Sequence, residues 1–187
     1  MGSKRIFSTL FIILIILLMV MPFVTTFNEF LTSWVLKFGW YKSIENLVLP
    51  FEIKAVVGFL WLLHIEAIGS PTTLSIVREG SWQKIWVSWN CVGWQSLIVF
   101  LLTLATGFSG NYTKLSKVET ILIGILGIFL VNLARINAVV LIFKFAGYLP
   151  AVIFHDYFAN MAIVVWFFFF WWFSYSFILE TKNADER

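Results

Sequence analysis

The chain has 187 residues, 60% of them hydrophobic and only 12% charged, with a net charge of +3. Ordinary soluble domains carry about 25% charged residues, so this composition excludes a soluble fold and makes lipid the solvent for most of the chain. The 13 Lys and Arg residues are scattered without a basic run, which excludes nucleic acid as a partner.

After Lys4 and Arg5 the chain is apolar from Ile6 to about Val24. No small-residue cleavage site follows, which predicts a retained first helix and not a removed signal peptide. Phe27 to Pro50 is amphipathic and suits the membrane interface. A second, less clear apolar segment runs from about Phe51 to Ile68 and carries His64 and Glu66. Ser70 to Asn90 alternates in part, like short strands, and is the one stretch that predicts extramembrane structure. A third apolar segment runs from Cys91 or Gly93 to about Phe108, and a turn-rich loop spans Gly107 to Glu119. The fourth continues from Thr120 to about Gly147, interrupted by Arg135 and Lys144. The fifth runs from about Ala151 to Leu179, and residues 180–187 form a short charged tail.

A span of a roughly 30 Å hydrocarbon core takes about 20 residues. The pattern therefore predicts an all-α, polytopic membrane protein: one domain over residues 1–187, with five spans in a single bundle. A further half-span within Phe30 to Phe51 would make six. Trp34, Trp40, Trp82, Trp86, Trp94, Trp171 and Trp172 stand at segment ends, as interfacial belts do.

The third and fourth segments, joined by a short loop, predict an antiparallel hairpin. Cys91 then lies on the face opposite the Lys114/Lys117 loop. Arg135 lies 15 residues beyond Thr120, about 22 Å along a helix, and so past the midplane towards the Cys91 face. His155 opens the fifth helix on that same side. The construction requires that Thr120 to Gly147 form one helix without a reversal.

Each residue also has a simpler reading. A lone cysteine at a helix end is commonly a small buried hydrophobe, His155 beside Asp156 marks a wet helix start, and an Arg near an interface snorkels. An Arg inside a span, however, costs about 2.5–3.5 kcal/mol to insert and generally has a partner or a function. The convergence of all three favours a cysteine nucleophile at Cys91, proton transfer by His155 and oxyanion stabilisation by Arg135. Asn132 shares a helix face with Arg135, and Gln95 shares one with Cys91. Asn132, Gln95, Ser96 and Asp156 are candidate supporting or substrate-binding groups, although polar helix packing accounts for such residues as well.

Trp-Asn-Cys91-Val-Gly93-Trp-Gln-Ser96 resembles the cysteine motif of exosortases and archaeosortases, in which Gly follows two residues after Cys and Ser often comes next. Val-Asn132-Leu-Ala-Arg135-Ile resembles their Asn-x-x-Arg motif, and His155 matches their third position. The resemblance covers roughly Ile76 to Phe170, and the small size is closer to archaeosortases. It implies a polytopic enzyme of the cytoplasmic membrane with its active site on the extracytoplasmic face. It implies substrate proteins bearing a C-terminal motif, an apolar helix and a basic cluster. It further implies cleavage through an acyl-enzyme on Cys91 and transfer of the new C-terminus to a lipid-linked amine.

With the N-terminus outside, Lys37, Lys42, Lys54, Lys114, Lys117, Lys182 and Arg187 fall inside. Lys4, Arg5, Arg78, Lys84 and Lys144 fall outside. That balance favours an outward site, whereas Lys4 and Arg5 by themselves argue against it. No zinc-ligand spacing or phosphate-binding loop is present, so neither metal nor cofactor is expected. A different function class remains open: a non-enzymatic membrane subunit or a small-solute or proton transporter using His64, Glu66 and Arg135 as buried polar groups.

Overall fold

The structure is a computed structural model that describes Thr26 and residues 29–181. The Ile6–Val24 segment and the charged tail beyond residue 181 lie outside the described residues. The chain divides into two compact units, Met1–Tyr41 and Lys42–Arg187. In the first unit, helix α1 covers residues 29–38. Phe30, Trp34 and Phe38 follow one another at i, i+4 spacing there, with successive ring centroids 6.1 and 5.6 Å apart.

The second unit opens within the short helix α2 (Tyr41–Ser43), at Lys42, and passes through a π-turn at Ile44–Val48 into α3 (Leu49–Leu62). Pro50 stands in the first turn of α3, where a backbone N–H would have no helical partner. The buried positions Leu49, Glu52, Ile53, Val56 and Leu60 make one stripe at helical spacing. This stripe packs on a three-stranded antiparallel sheet of β1 (Ala67–Gly69), β2 (Thr73–Arg78) and β3 (Ser81–Trp86), in that order. Leu74 and Ile76 of β2, two residues apart and fully buried, supply the inner face. Glu79 and Gly80, both at positive φ (51° and 76°), join β2 to β3 in a two-residue hairpin turn.

The apolar helices follow. A 3₁₀ turn at Trp89–Val92 leads into α4 (Trp94–Gly107), and α5 (Lys114–Ala146) runs unbroken for 33 residues. The short α6 (Tyr148–Ile153), a π-turn at Phe154–Phe158, α7 (Ala159–Phe173) and a π-turn at Ser174–Ile178 complete the chain. Phe100 of α4 meets Phe170 of α7 edge-on at 5.3 Å. A Cβ on Gly124 would lie 2.1 Å from Phe100, and one on Gly127 would lie 1.9 Å from Trp166. Glycine at these two positions lets the aromatic rings of α4 and α7 approach the α5 backbone, as in close-packed membrane helices. At the far end, Thr113 N–H donates to Glu180 O (3.0 Å) and Tyr175 Oη to Gly107 O (3.2 Å).

The fold is mostly helical, and three helical stretches among the described residues are long and apolar enough to cross a membrane: Trp89–Gly107, Lys114–Ala146 and Met161–Ile178. These correspond to the third, fourth and fifth expected segments. The fourth is a single helix, as the placement of Arg135 required.

Two expectations are corrected. The fold is not purely α, because the alternating stretch after Ser70 forms β2 and β3. The second segment does not remain helical to Ile68 either. Its helix stops at Leu62, His64 takes a left-handed conformation (φ 56°), and the chain turns into β1.

Candidate functional site

The Cys91 segment is held by local bonds. Ser88 Oγ accepts from Asn90 N–H at 3.2 Å, and Cys91 N–H donates to Ser88 O at 2.8 Å, closing the 3₁₀ turn. Gly93 then adopts φ +77°, which a side chain resists. A Cβ there would also stand 3.1 Å from Asn132 Cγ. The Cys-x-Gly spacing thus has a structural cause: one tight turn to present the thiol, then a left-handed residue to launch α4. Trp89 and Trp94 stack across this turn with centroids 5.7 Å apart. Gln95 Nε2 donates to Asn90 Oδ1 and so braces the turn. Ser96 is buried in α4 and does not line the cavity described below.

Asn132, fully buried on α5, uses both amide protons. Its Nδ2 donates to Cys91 O at 2.9 Å and to Glu52 Oε1 at 3.0 Å. A carboxylate from α3 and an amide from α5 therefore clamp the backbone of the cysteine turn. Glu52 is only 2% exposed, and among the described residues its Oε2 has no partner. Sequence reasoning missed this residue. Its one local signal was a carboxylate within the apolar stripe Leu49–Ile53–Val56–Leu60, on a face where charge is costly unless paired.

His155 enters from the π-turn after α6. Its Nε2 lies 3.6 Å from Cys91 Sγ, and its Nδ1–H donates to Asp156 Oδ1 at 2.9 Å. With Nδ1 occupied by the carboxylate, Nε2 is the nitrogen that faces the thiol. His155 lies outside the three long apolar stretches. Its pKa is raised above the ordinary imidazole value, first by the hydrogen bond to Cys91 and then by Asp156, against burial and the Arg135 cation.

Arg135 joins the same cavity, a space of about 60 Å³ lined by Cys91, Arg135, His155 and an apolar wall that includes Ile85, Val87 and Val140. Among the described residues no carboxylate lies within 4 Å of the guanidinium. The charges that act on it are those of Cys91, Glu52 and Asp156. Its donors are thus available to a bound group.

The structure brings Cys91, Arg135 and His155 to one cavity, with Asn132 behind Cys91, Asp156 behind His155 and Gln95 beside the turn. The arrangement offers a thiol, a proton acceptor held in one tautomer, and a forked cation in a mostly apolar space. His64 and Glu66 take no part. Both are exposed, in the turn after α3 and at the start of β1, and not buried within a helix. Among the described residues no cluster of three metal-binding side chains occurs. The chain matches no protein-family model, no curated protein and no solved structure.

Proposed function

We propose that this chain is a membrane cysteine transpeptidase of the exosortase and archaeosortase kind. It would remove C-terminal sorting helices from surface proteins and pass the new C-terminus to a primary amine, a lipid-linked one on the family resemblance. The observation that carries the reading is Cys91 Sγ at 3.6 Å from His155 Nε2, with Asp156 on the other ring nitrogen and Arg135 in the same cavity. This is a nucleophile, a base and an orienting carboxylate in sequence.

In the first half-reaction Cys91 Sγ attacks the scissile carbonyl carbon, and the thiol proton passes to His155 Nε2. Arg135 donates to the developing oxyanion. The C–N bond breaks, His155 returns the proton to the leaving amine, and a thioester remains on Cys91. In the second, a primary amine attacks the thioester carbonyl, gives a proton to His155, and releases the Cys91 thiol with its proton restored. On this reading the chain is anchored by its three long apolar helices, and the Cys91 end faces outside the cytoplasmic membrane.

Asp156 helps keep the His155 imidazolium protonated to higher pH. Asp156→Asn should therefore move the alkaline limb of the cleavage rate to lower pH, since the general acid is lost sooner. An unmoved limb would separate Asp156 from proton transfer.

The reading itself is tested by mass spectrometry of C-terminal peptides from the surface proteins of native cells making the chain and of cells lacking it. One or a few proteins are expected to keep their C-terminal apolar helix in the cells lacking it. If every C-terminus is the same in both, the transpeptidase reading is sunk.

A further inference from the structure

The sheet ends on β3, and among the described residues no strand pairs with its outer edge. The hairpin register settles which backbone groups that edge presents. Arg78 pairs with Ser81 across the two-residue turn, Ile76 with Gln83 and Leu74 with Ile85. In an antiparallel ladder these alternate with pairs whose N–H and C=O groups point away from each other. The bonds on β2 agree, because Val77 N–H turns outward to Glu66 O of the β1 side (3.5 Å) while Val87 N–H, beyond β3, reaches Thr72 O (3.0 Å). Trp82, Lys84 and Trp86 therefore direct their backbone donors and acceptors out along the free edge. All three side chains are exposed.

This edge leads into the site. Ile85 and Trp86 at the downstream end of β3, and Val87 just beyond it, line the cavity that holds Cys91, Arg135 and His155. Proteins ordinarily guard a free edge because it invites an added strand, and strand addition is a standard way to grip an extended peptide. A nucleophile at the end of such an edge calls for a substrate delivered as an extended chain. A helical segment could not pair with the edge, because its backbone groups are already bonded within the helix.

We propose that β3 is the substrate-docking strand: an extended segment of the substrate polypeptide next to the scissile bond adds to its outer edge as a fourth strand, held by the backbone of Trp82, Lys84 and Trp86. The proposal rests on the transpeptidase reading and names the conformation and contact of its substrate. Recognition is then partly independent of substrate side chains, because main-chain bonds supply the grip.

The test compares full-length Lys84→Pro, Lys84→Ala and Cys91→Ala chains in native cells. Its readout is the processing rate of those surface proteins whose C-terminal helix is lost in the presence of the wild-type chain. Proline at position 84 removes an outward N–H without breaking the β2–β3 ladder, a placement edge strands tolerate. Lys84→Pro should slow processing about tenfold, the effect of one lost hydrogen bond of roughly 1.4 kcal/mol, while Lys84→Ala processes at nearly the wild-type rate. The rate of Cys91 alkylation by iodoacetamide should be unchanged in both, which reports an intact site.

As a second measurement, a photo-crosslinking amino acid at position 84 of the Cys91→Ala chain should capture unprocessed substrate. The same group at position 68, on β1, should not. Wild-type processing by Lys84→Pro, an equal loss in Lys84→Ala, or capture at position 84 of a second copy of this chain in place of substrate overturns the proposal. Should Lys84→Pro disturb the alkylation rate, the crosslink alone decides. If Cys91→Ala processes like wild type, the transpeptidase reading falls and the docking strand with it. Cys91-dependent processing with no β3 dependence overturns the docking strand alone.

Discussion

Replacing Cys91 by alanine is expected to abolish processing while leaving the abundance and membrane insertion of the chain unchanged. The chain has one cysteine, so no second thiol can substitute. Loss of a nucleophile in a Ser-His-Asp-type constellation lowers kcat on the order of 10⁶-fold. The structural cost is small, because the bonds that shape the turn are made by backbone atoms that alanine keeps: Cys91 N–H to Ser88 O and Cys91 O to Asn132 Nδ2. The side chain is itself partly exposed at the cavity. Pulse-labelling of a substrate protein, with quantitation of the chain in the same membranes, checks both halves. Processing by Cys91→Ala at more than a trace would remove Cys91 from the chemistry.

The second large effect is expected at Arg135. If its donors hold the oxyanion, Arg135→Ala should lower kcat by about 10²–10³-fold with a smaller change in KM. Arg135→Lys should recover only part of that, since an ammonium keeps the charge and loses the planar fork. A purely structural Arg135 predicts the opposite balance, namely a fall in thermal stability with kcat preserved among the molecules that stay folded. Among the described residues the guanidinium has no carboxylate within 4 Å, so its removal takes away a costly charge and breaks no ion pair. The Tm of Arg135→Ala in detergent should therefore not fall. Single-turnover rates and melting curves on the same preparations separate the two cases, and full activity in Arg135→Lys would exclude forked donation.

Much of the site could be read from the sequence because lipid restricts the choices. A long apolar run has to satisfy its backbone internally, so Thr120 to Gly147 had to be helical. Short loops make neighbouring helices antiparallel, and the rise per residue then assigns each polar residue a depth. Depth along the helices thus puts Cys91, Arg135 and His155 on one face, and the structure brings them to one cavity. The Phe51 to Ile68 segment departs from one continuous helix for a physical reason as well. Short apolar runs fit a buried strand as readily as a helix, and what ended α3 at Leu62 was a left-handed turn at His64, a residue type that does not announce one.

Three of the five expected spans, and the end of the helices at which Cys91, Arg135 and His155 meet, were legible along the chain, because hydrophobicity and helix geometry are local properties. Which side chains pair across distant elements was not legible there. Nothing near Glu52 in the sequence points to Asn132, 80 residues away, and nothing near Asn132 shows that its second amide proton holds the Cys91 carbonyl. Neither does the pattern of β3 show that its strand end lines the cavity. Such contacts depend on which faces of distant elements meet, and side-chain hydrogen bonds across that distance leave no periodic trace along the chain.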